Sequence, residues 1–155
     1  MRNYRIEEMQ EKHLDQIVAI EKMSFPTPWN RQHLCSELYN NDFARYYVAV
    51  VRKVVAGYAG MWVILDEAHI TNIAVHPQYR GQKLGRALLT ELERRAVAAG
   101  VERMTLEVRP SNREAQSLYR HAGFAPVGLR KGYYTDTRED AIIMWKDLVA
   151  TPAGR

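Results

Sequence analysis

His76-Pro77-Gln78-Tyr79-Arg80-Gly81-Gln82-Lys83-Leu84-Gly85-Arg86-Ala87-Leu88-Leu89 runs from a proline-broken turn into an amphipathic helix, with two glycines and three cations about the helix start. A turn of this kind leaves main-chain N–H groups without intrahelical partners, and the helix dipole favours an anion beside them. Two readings follow: a cradle for a phosphate or diphosphate, or an ordinary strand-to-helix turn with solvated Arg and Lys. The stretch lacks the Gly-Lys-Ser/Thr ending of nucleoside-triphosphate loops and the spacing of dinucleotide loops.

Working outward, His69 to Val75 reads as a strand. Leu84, Leu88, Leu89, Leu92 and Ala96 share one face of a helix running from about Lys83 to Ala99 and stopped by Gly100, and Met104 to Arg109 is the next strand. A strand-helix-strand crossover predicts that the two strands are parallel. Before it, Tyr4 to Glu7 is a short strand, and Leu14, Ile17, Val18, Ile20 and Met23 keep helical spacing. Ser24-Phe25-Pro26-Thr27-Pro28-Trp29-Asn30 breaks that helix, and Asn30 caps a second one carrying Leu34, Leu38 and Tyr39. Tyr46 to Val51 and Val54 to Leu65 form a hairpin across Arg52-Lys53. After the crossover, Ser111-Asn112-Arg113-Glu114 opens a helix lined by Ala115, Leu118, Tyr119 and Ala122 and ended by Gly123. Phe124 to Arg130 and Asp140 to Lys146 are the closing strands, with Tyr133 and Tyr134 in the turn between them.

The expected fold is α/β (α+β): one domain over residues 1–149 with a mixed sheet of about seven strands flanked by about four helices, and a flexible tail at 150–155. At 155 residues and 46% hydrophobic content the chain is long enough to bury its own core. The single cysteine, Cys35, forms no internal disulfide, and there is no apolar run of membrane-spanning length and no signal-peptide pattern. A cytoplasmic location and no membrane partner are expected. The net charge of +4 suits an anionic ligand or an RNA-rich neighbourhood, but cations and anions are interspersed and no nucleic-acid site is identified. The histidines at 13, 33, 69, 76 and 121 lack metal-ligand spacing, so no metal is expected, and His69 and His76 read as structural.

Glu107 lies between Leu106 and Val108 and so faces away from their side of its strand. It is either a charge on a solvated sheet face or, because strands of helix-covered parallel pairs are buried on both faces, a carboxylate that needs a cavity or a partner. Tyr119 shares a helical face with Ala115 and reads as a core aromatic with its hydroxyl at the edge.

In its element order and in Arg80-Gly81-Gln82-Lys83-Leu84-Gly85 the chain resembles the GNAT family of acetyl-CoA-dependent N-acetyltransferases, whose loop reads Arg/Gln-x-x-Gly-x-Gly/Ala. Ser24 to Trp29, Asp66 to Val75, Thr105 to Arg109, Arg130 to Tyr134 and Glu139 to Met144 resemble the branch of that family that acetylates the N-terminal alanine of a small-subunit ribosomal protein. The resemblance implies acetyl-CoA as cosubstrate, held by Ile73, Ala74 and Val75, by Arg80, Gly81, Gln82, Lys83, Leu84, Gly85 and Arg86, and by Asn112. It implies Glu107 as general base and Tyr119 as the acid that protonates the departing thiolate, with direct attack in a ternary complex. Phe25, Trp29, Tyr133 and Tyr134 would flank the entering N-terminal peptide of a ribosomal protein. Glu21, Asp66, Glu67, Asp136, Glu139 and Asp140 are candidates for meeting a basic residue of that peptide. Lys83 stands where the family has glycine; in a first helical turn it would keep its N–H aimed at the phosphates and send its ammonium outward. A monomer or weak oligomer is expected. A broader lysine or small-amine acetyltransferase and a noncatalytic acyl-CoA sensor or ribosome-binding module are the alternatives.

Overall fold

The computed structural model describes residues 3–148; the expected tail at 150–155 lies outside them. Seven strands and four helices follow the expected order: β1 (Arg5–Glu8), α1 (Leu14–Ser24), α2 (Arg31–Asn40), β2 (Ala44–Val51), β3 (Val54–Ile64), β4 (Glu67–Val75), α3 (Leu84–Ala98), β5 (Arg103–Val108), α4 (Arg113–His121), β6 (Ala125–Tyr134) and β7 (Glu139–Asp147). The strands form one mixed sheet in the order β1-β2-β3-β4-β5-β7-β6. Two compact units divide the chain: the residues up to Trp62 with Thr71–Leu92, and Val63–Ile70 with the residues from Glu93 on.

In the first unit, the helix spacing noted above places Leu14, Ile17 and Ile20 of α1 and Leu34 of α2 in a buried cluster with Tyr46, Val48, Val50, Val55 and Tyr58. Asn30 caps α2 by accepting the His33 N–H at 2.8 Å. The β2–β3 hairpin turns on Arg52 and Lys53, both with positive φ (55° and 108°), as a two-residue hairpin turn demands. Gly60 lies beneath the Tyr46 ring: a β-carbon there would come within 2.2 Å of it.

The crossover prediction holds in the second unit, where β4 and β5 pair in parallel through Glu67–Arg103, Ala68–Met104 and His69–Thr105. On its other side β5 runs antiparallel to β7, Leu106 opposite Met144 and Glu107 opposite Ile143. Asn112 caps α4 through the Ala115 N–H at 3.1 Å. Gly100 and Gly123, at φ 84° and 100°, follow the ends of α3 and α4. β6 is longer than expected. Tyr133 and Tyr134 belong to the strand rather than to a turn, because Gly132 at φ 61° lets the chain shift register and re-pair, Tyr134 opposite Glu139.

Candidate active site

In β5 the side chains of Met104, Leu106 and Val108 are buried on one face, which turns Glu107 to the other. Its side chain is only 6% exposed, and it has the partner such a carboxylate requires. The His69 ring Nε2 lies 2.6 Å from Oε1. The Tyr133 hydroxyl donates to the same oxygen at 3.3 Å, and the Arg130 guanidinium stands 3.9 Å from Oε2. Burial alone raises the Glu107 pKa, but the hydrogen bond and charge of His69, then Arg130 and Tyr133, outweigh it and hold the carboxyl below its ordinary value. His69, read from the sequence as structural, is thus the nearest partner of the candidate base.

Arg109, two residues further on, organises the end of the β6–β7 hairpin. Its guanidinium meets Asp136 with two hydrogen bonds of 2.9 and 2.8 Å, donates to Thr137 at 2.9 Å and lies 4.0 Å from the centre of the Tyr134 ring. Glu139 accepts from the Ser111 N–H at 3.1 Å and the Ser111 hydroxyl at 3.0 Å, which ties the start of α4 to the same hairpin. Tyr133 and Tyr134 contact each other edge to face at 5.0 Å. Tyr119 is buried on α4, edge to face with Phe124 at 5.8 Å, and burial pushes its hydroxyl pKa well up.

In the first unit, the loop after β4 is pinned by Arg80, whose Nε donates to the Val75 carbonyl at 3.1 Å. Gly81 has φ 79° and Lys83 φ 65°, and the Lys83 carbonyl accepts the first α3 hydrogen bond, from Ala87 at 3.1 Å. Lys83 is therefore a left-handed residue ahead of the helix. The expectation that it takes helical backbone is wrong: this position has the conformation for which glycine is favoured, and lysine adopts it under strain. Left-handed residues in such a turn aim successive N–H groups to one side, and the first-turn N–H groups of α3 lack intrahelical acceptors. A β-carbon at Gly81 would meet nothing within 4 Å, so the loop is open there. Arg80, Lys83 and Arg86 add three cations to this short stretch, a composition suited to an anionic group. Upstream, Gly57 leaves room for Ala74 of β4 and Leu88 of α3, since a β-carbon on it would sit 2.9 Å from the Ala74 carbonyl and 3.1 Å from Leu88 Cδ1.

Phe25 and Trp29 pack against the core cluster of the first unit, and Trp29 stacks on His33 at 3.9 Å. Their loop is folded back onto α1 by Glu21, whose Oε1 accepts the Trp29 N–H at 2.8 Å and whose Oε2 meets the Tyr58 hydroxyl and, at 3.3 Å, the Asn72 amide. Glu21 is buried, and burial raises its pKa despite these bonds. It is not the surface acid anticipated for a basic peptide. Glu67 is paired with Arg103 at 2.8 Å, Asp136 with Arg109, and Asp140 accepts the Gly132 N–H at 2.9 Å. The anticipated acids at 21, 67, 136, 139 and 140 are thus engaged within the protein. Asp66 accepts the Glu102 N–H at its carbonyl, at 2.7 Å.

Residues 14–124 match the model of the acetyltransferase (GNAT) family. The chain is 42% identical over 129 residues to the ribosomal protein bS18-alanine N-acetyltransferase of Escherichia coli (strain K12), covering 81% of this chain and 84% of that one. It is 43% identical over 145 residues to a Bacillus subtilis (strain 168) protein with a provisional name of the same kind, covering 94% and 93%. The crystal structure of the Escherichia coli ribosomal-protein-S18-alanine N-acetyltransferase superimposes with a TM-score of 0.86 at 34% identity, covering 98% of each chain. Ard1 from Thermoplasma volcanium, at 22% identity and TM-score 0.87 over 96% of this chain and all of that one, shares the fold. The left-handed glycine-lysine turn at the head of α3, the shielded carboxylate of β5 and these relatives agree: the chain belongs to the GNAT family of acetyl-CoA-dependent N-acetyltransferases.

Proposed function

We propose that this enzyme acetylates the N-terminal alanine of ribosomal protein bS18, in the cytoplasm, by direct attack of the α-amine in a ternary complex. The names of its relatives support the target, and one observation carries the chemistry: Glu107 is a carboxylate removed from solvent yet kept ionised by His69. An α-amine has a pKa of about 7.7 to 8.0, so near neutral pH a single proton must leave before the nitrogen is nucleophilic. Glu107 takes that proton, directly or through one water.

Acetyl-CoA supplies the activated acetyl thioester. Arg80, Gly81, Gln82, Lys83, Leu84, Gly85 and Arg86 hold its diphosphate, the main chain of Ile73, Ala74 and Val75 binds its acyl arm and supports the developing oxyanion, and Asn112 adds a contact beyond its capping role. Tyr119, whose burial keeps the hydroxyl protonated, delivers its proton to the departing thiolate. Tyr133 and Tyr134, set by Arg109, and Phe25 and Trp29, set by Glu21, flank the peptide.

The test is intact-mass analysis of bS18 incubated with acetyl-CoA and either the wild type or Glu107→Gln, beside peptides starting with alanine and peptides offering only an internal lysine. Acetylation at the α-amine by the wild type alone supports the reading. Equal specificity constants for α-amine and lysine peptides, the latter amine having a pKa near 10.4, sink it.

A further inference from the structure

We infer that His69 is a positioning residue for the base: it occupies Oε1 of Glu107 and leaves Oε2 as the oxygen that receives the substrate's proton. This rests on the reading of Glu107 as base, but the contact itself stands on geometry. Both short contacts of the carboxylate converge on Oε1, His69 Nε2 at 2.6 Å and the Tyr133 hydroxyl at 3.3 Å. Among the described residues Oε2 faces only the Arg130 guanidinium, at 3.9 Å, beyond hydrogen-bond length. An oxygen that already accepts two donors is a poor proton acceptor; its twin keeps its lone pairs.

The residue type matters. A lysine or arginine at 69 would place a permanent charge against the carboxylate and lower its basicity further, whereas an imidazole presents one ring nitrogen to Oε1. Without a donor, the burial of Glu107, the largest single influence on its pKa, drives the carboxyl toward its protonated form. A base already protonated takes no proton. The groups that act on the carboxylate are His69 from β4 and Arg130 and Tyr133 from β6; its charge in turn raises the Tyr134 pKa. β7 places the uncharged Ile143 opposite it, and Arg109, just past the end of β5, is committed to Asp136. His69 makes the shortest of these contacts, and its side chain, 34% exposed against 6% for Glu107, sits at the solvent side of the pair.

The experiment compares wild type, His69→Leu, His69→Gln and Glu107→Gln. One readout is kcat against pH with a saturating alanine-starting peptide. The other is the midpoint of the Glu107 side-chain carboxyl, titrated by carbon-13 NMR in the free enzyme. In His69→Leu the acid limb of kcat and the carboxyl midpoint should both rise by about 1 pH unit or more, with acetyl-CoA affinity unchanged. His69→Gln, which retains an N–H donor, should return both toward wild type, a recovery that a packing role for the imidazole does not explain. His69→Asn, too short to reach Oε1, replaces the leucine variant if that one does not fold. Wild-type limb and midpoint in His69→Leu, with Glu107→Gln inactive, overturn the role of His69 and leave the base standing. A fully active Glu107→Gln overturns the base, and the carboxyl midpoints then still report whether His69 controls the group.

Discussion

The guanidinium of Arg109 grips both carboxylate oxygens of Asp136 while lying over the ring of Tyr134. One side chain just past the end of β5 therefore sets the hairpin that carries the two tyrosines proposed to flank the peptide. Both partners are largely shielded, and a planar fork makes two bonds that an ammonium does not reproduce. Arg109→Lys should lower stability by about 1 to 2 kcal/mol and raise KM for the peptide with acetyl-CoA affinity unaltered. Denaturant titration and calorimetry check the two halves. Unchanged KM would mean that the hairpin holds its tyrosines without the clamp.

Glu21 gives a pH signature of opposite sign to that of the other buried acids. Its folded-state pKa is raised above the ordinary 4.5, so the folded protein binds a proton there more tightly than the unfolded chain does. The stabilisation is complete below the ordinary value and is lost as pH rises through the folded pKa. Glu37 and Glu107, whose values are lowered, contribute stability that is lost as pH falls. Glu21→Gln retains an acceptor for the Trp29 N–H and removes the titration. The difference in unfolding free energy between wild type and this variant should therefore move against the wild type as pH climbs above 4.5. Parallel stability curves from pH 4 to 8, on the order of the range that spans such a shift, would contradict the assignment.

Replacing Lys83 with glycine should stabilise the protein by roughly 0.5 to 1 kcal/mol, since relief of the left-handed strain exceeds the flexibility glycine adds to the unfolded chain. Coenzyme A binding should weaken a few-fold at low salt and match the wild type at high salt, because the main-chain donors stay and a screened charge goes. Thermal melts and calorimetry at two ionic strengths decide it. A loss of binding indifferent to salt would give the ammonium a direct contact.

Tyr119→Phe should leave stability within about 1 kcal/mol, as the ring and its contact with Phe124 remain, and slow single-turnover acetyl transfer at least tenfold while cofactor affinity holds. A wild-type single-turnover rate would reduce Tyr119 to a packing residue.

What the sequence disclosed was local chemistry. Asn30 and Asn112 announced their helices, Gly100 and Gly123 ended theirs, and the crossover between β4 and β5 followed from the spacing of leucines along α3. The partner of Glu107 was hidden because His69 lies 38 residues away and meets it only through a strand register that no single stretch encodes. Lys83 concealed a glycine-like backbone behind a side chain that is at home in helices. Glu21 lies beside the Ser24–Trp29 loop in sequence, which suggests a peptide contact, yet it continues the Leu14–Ile17 face of α1 at helical spacing, a signal that favours burial. Gly132 reads as a turn in the sequence and ends the expected strand at Arg130, whereas in the structure it resets the register within β6.

The separation between His69 and Glu107 also orders the birth of the enzyme. Capping bonds such as Asn30 to His33 close within one turn of chain and form as soon as their helices do. The parallel strands must wait until the connecting helix has brought them side by side, and contacts of long sequence separation are the late ones. In a refolding experiment the helical circular-dichroism signal should return first and acetyl transfer last, with parallel pairing, not helix content, marking when the chain becomes competent.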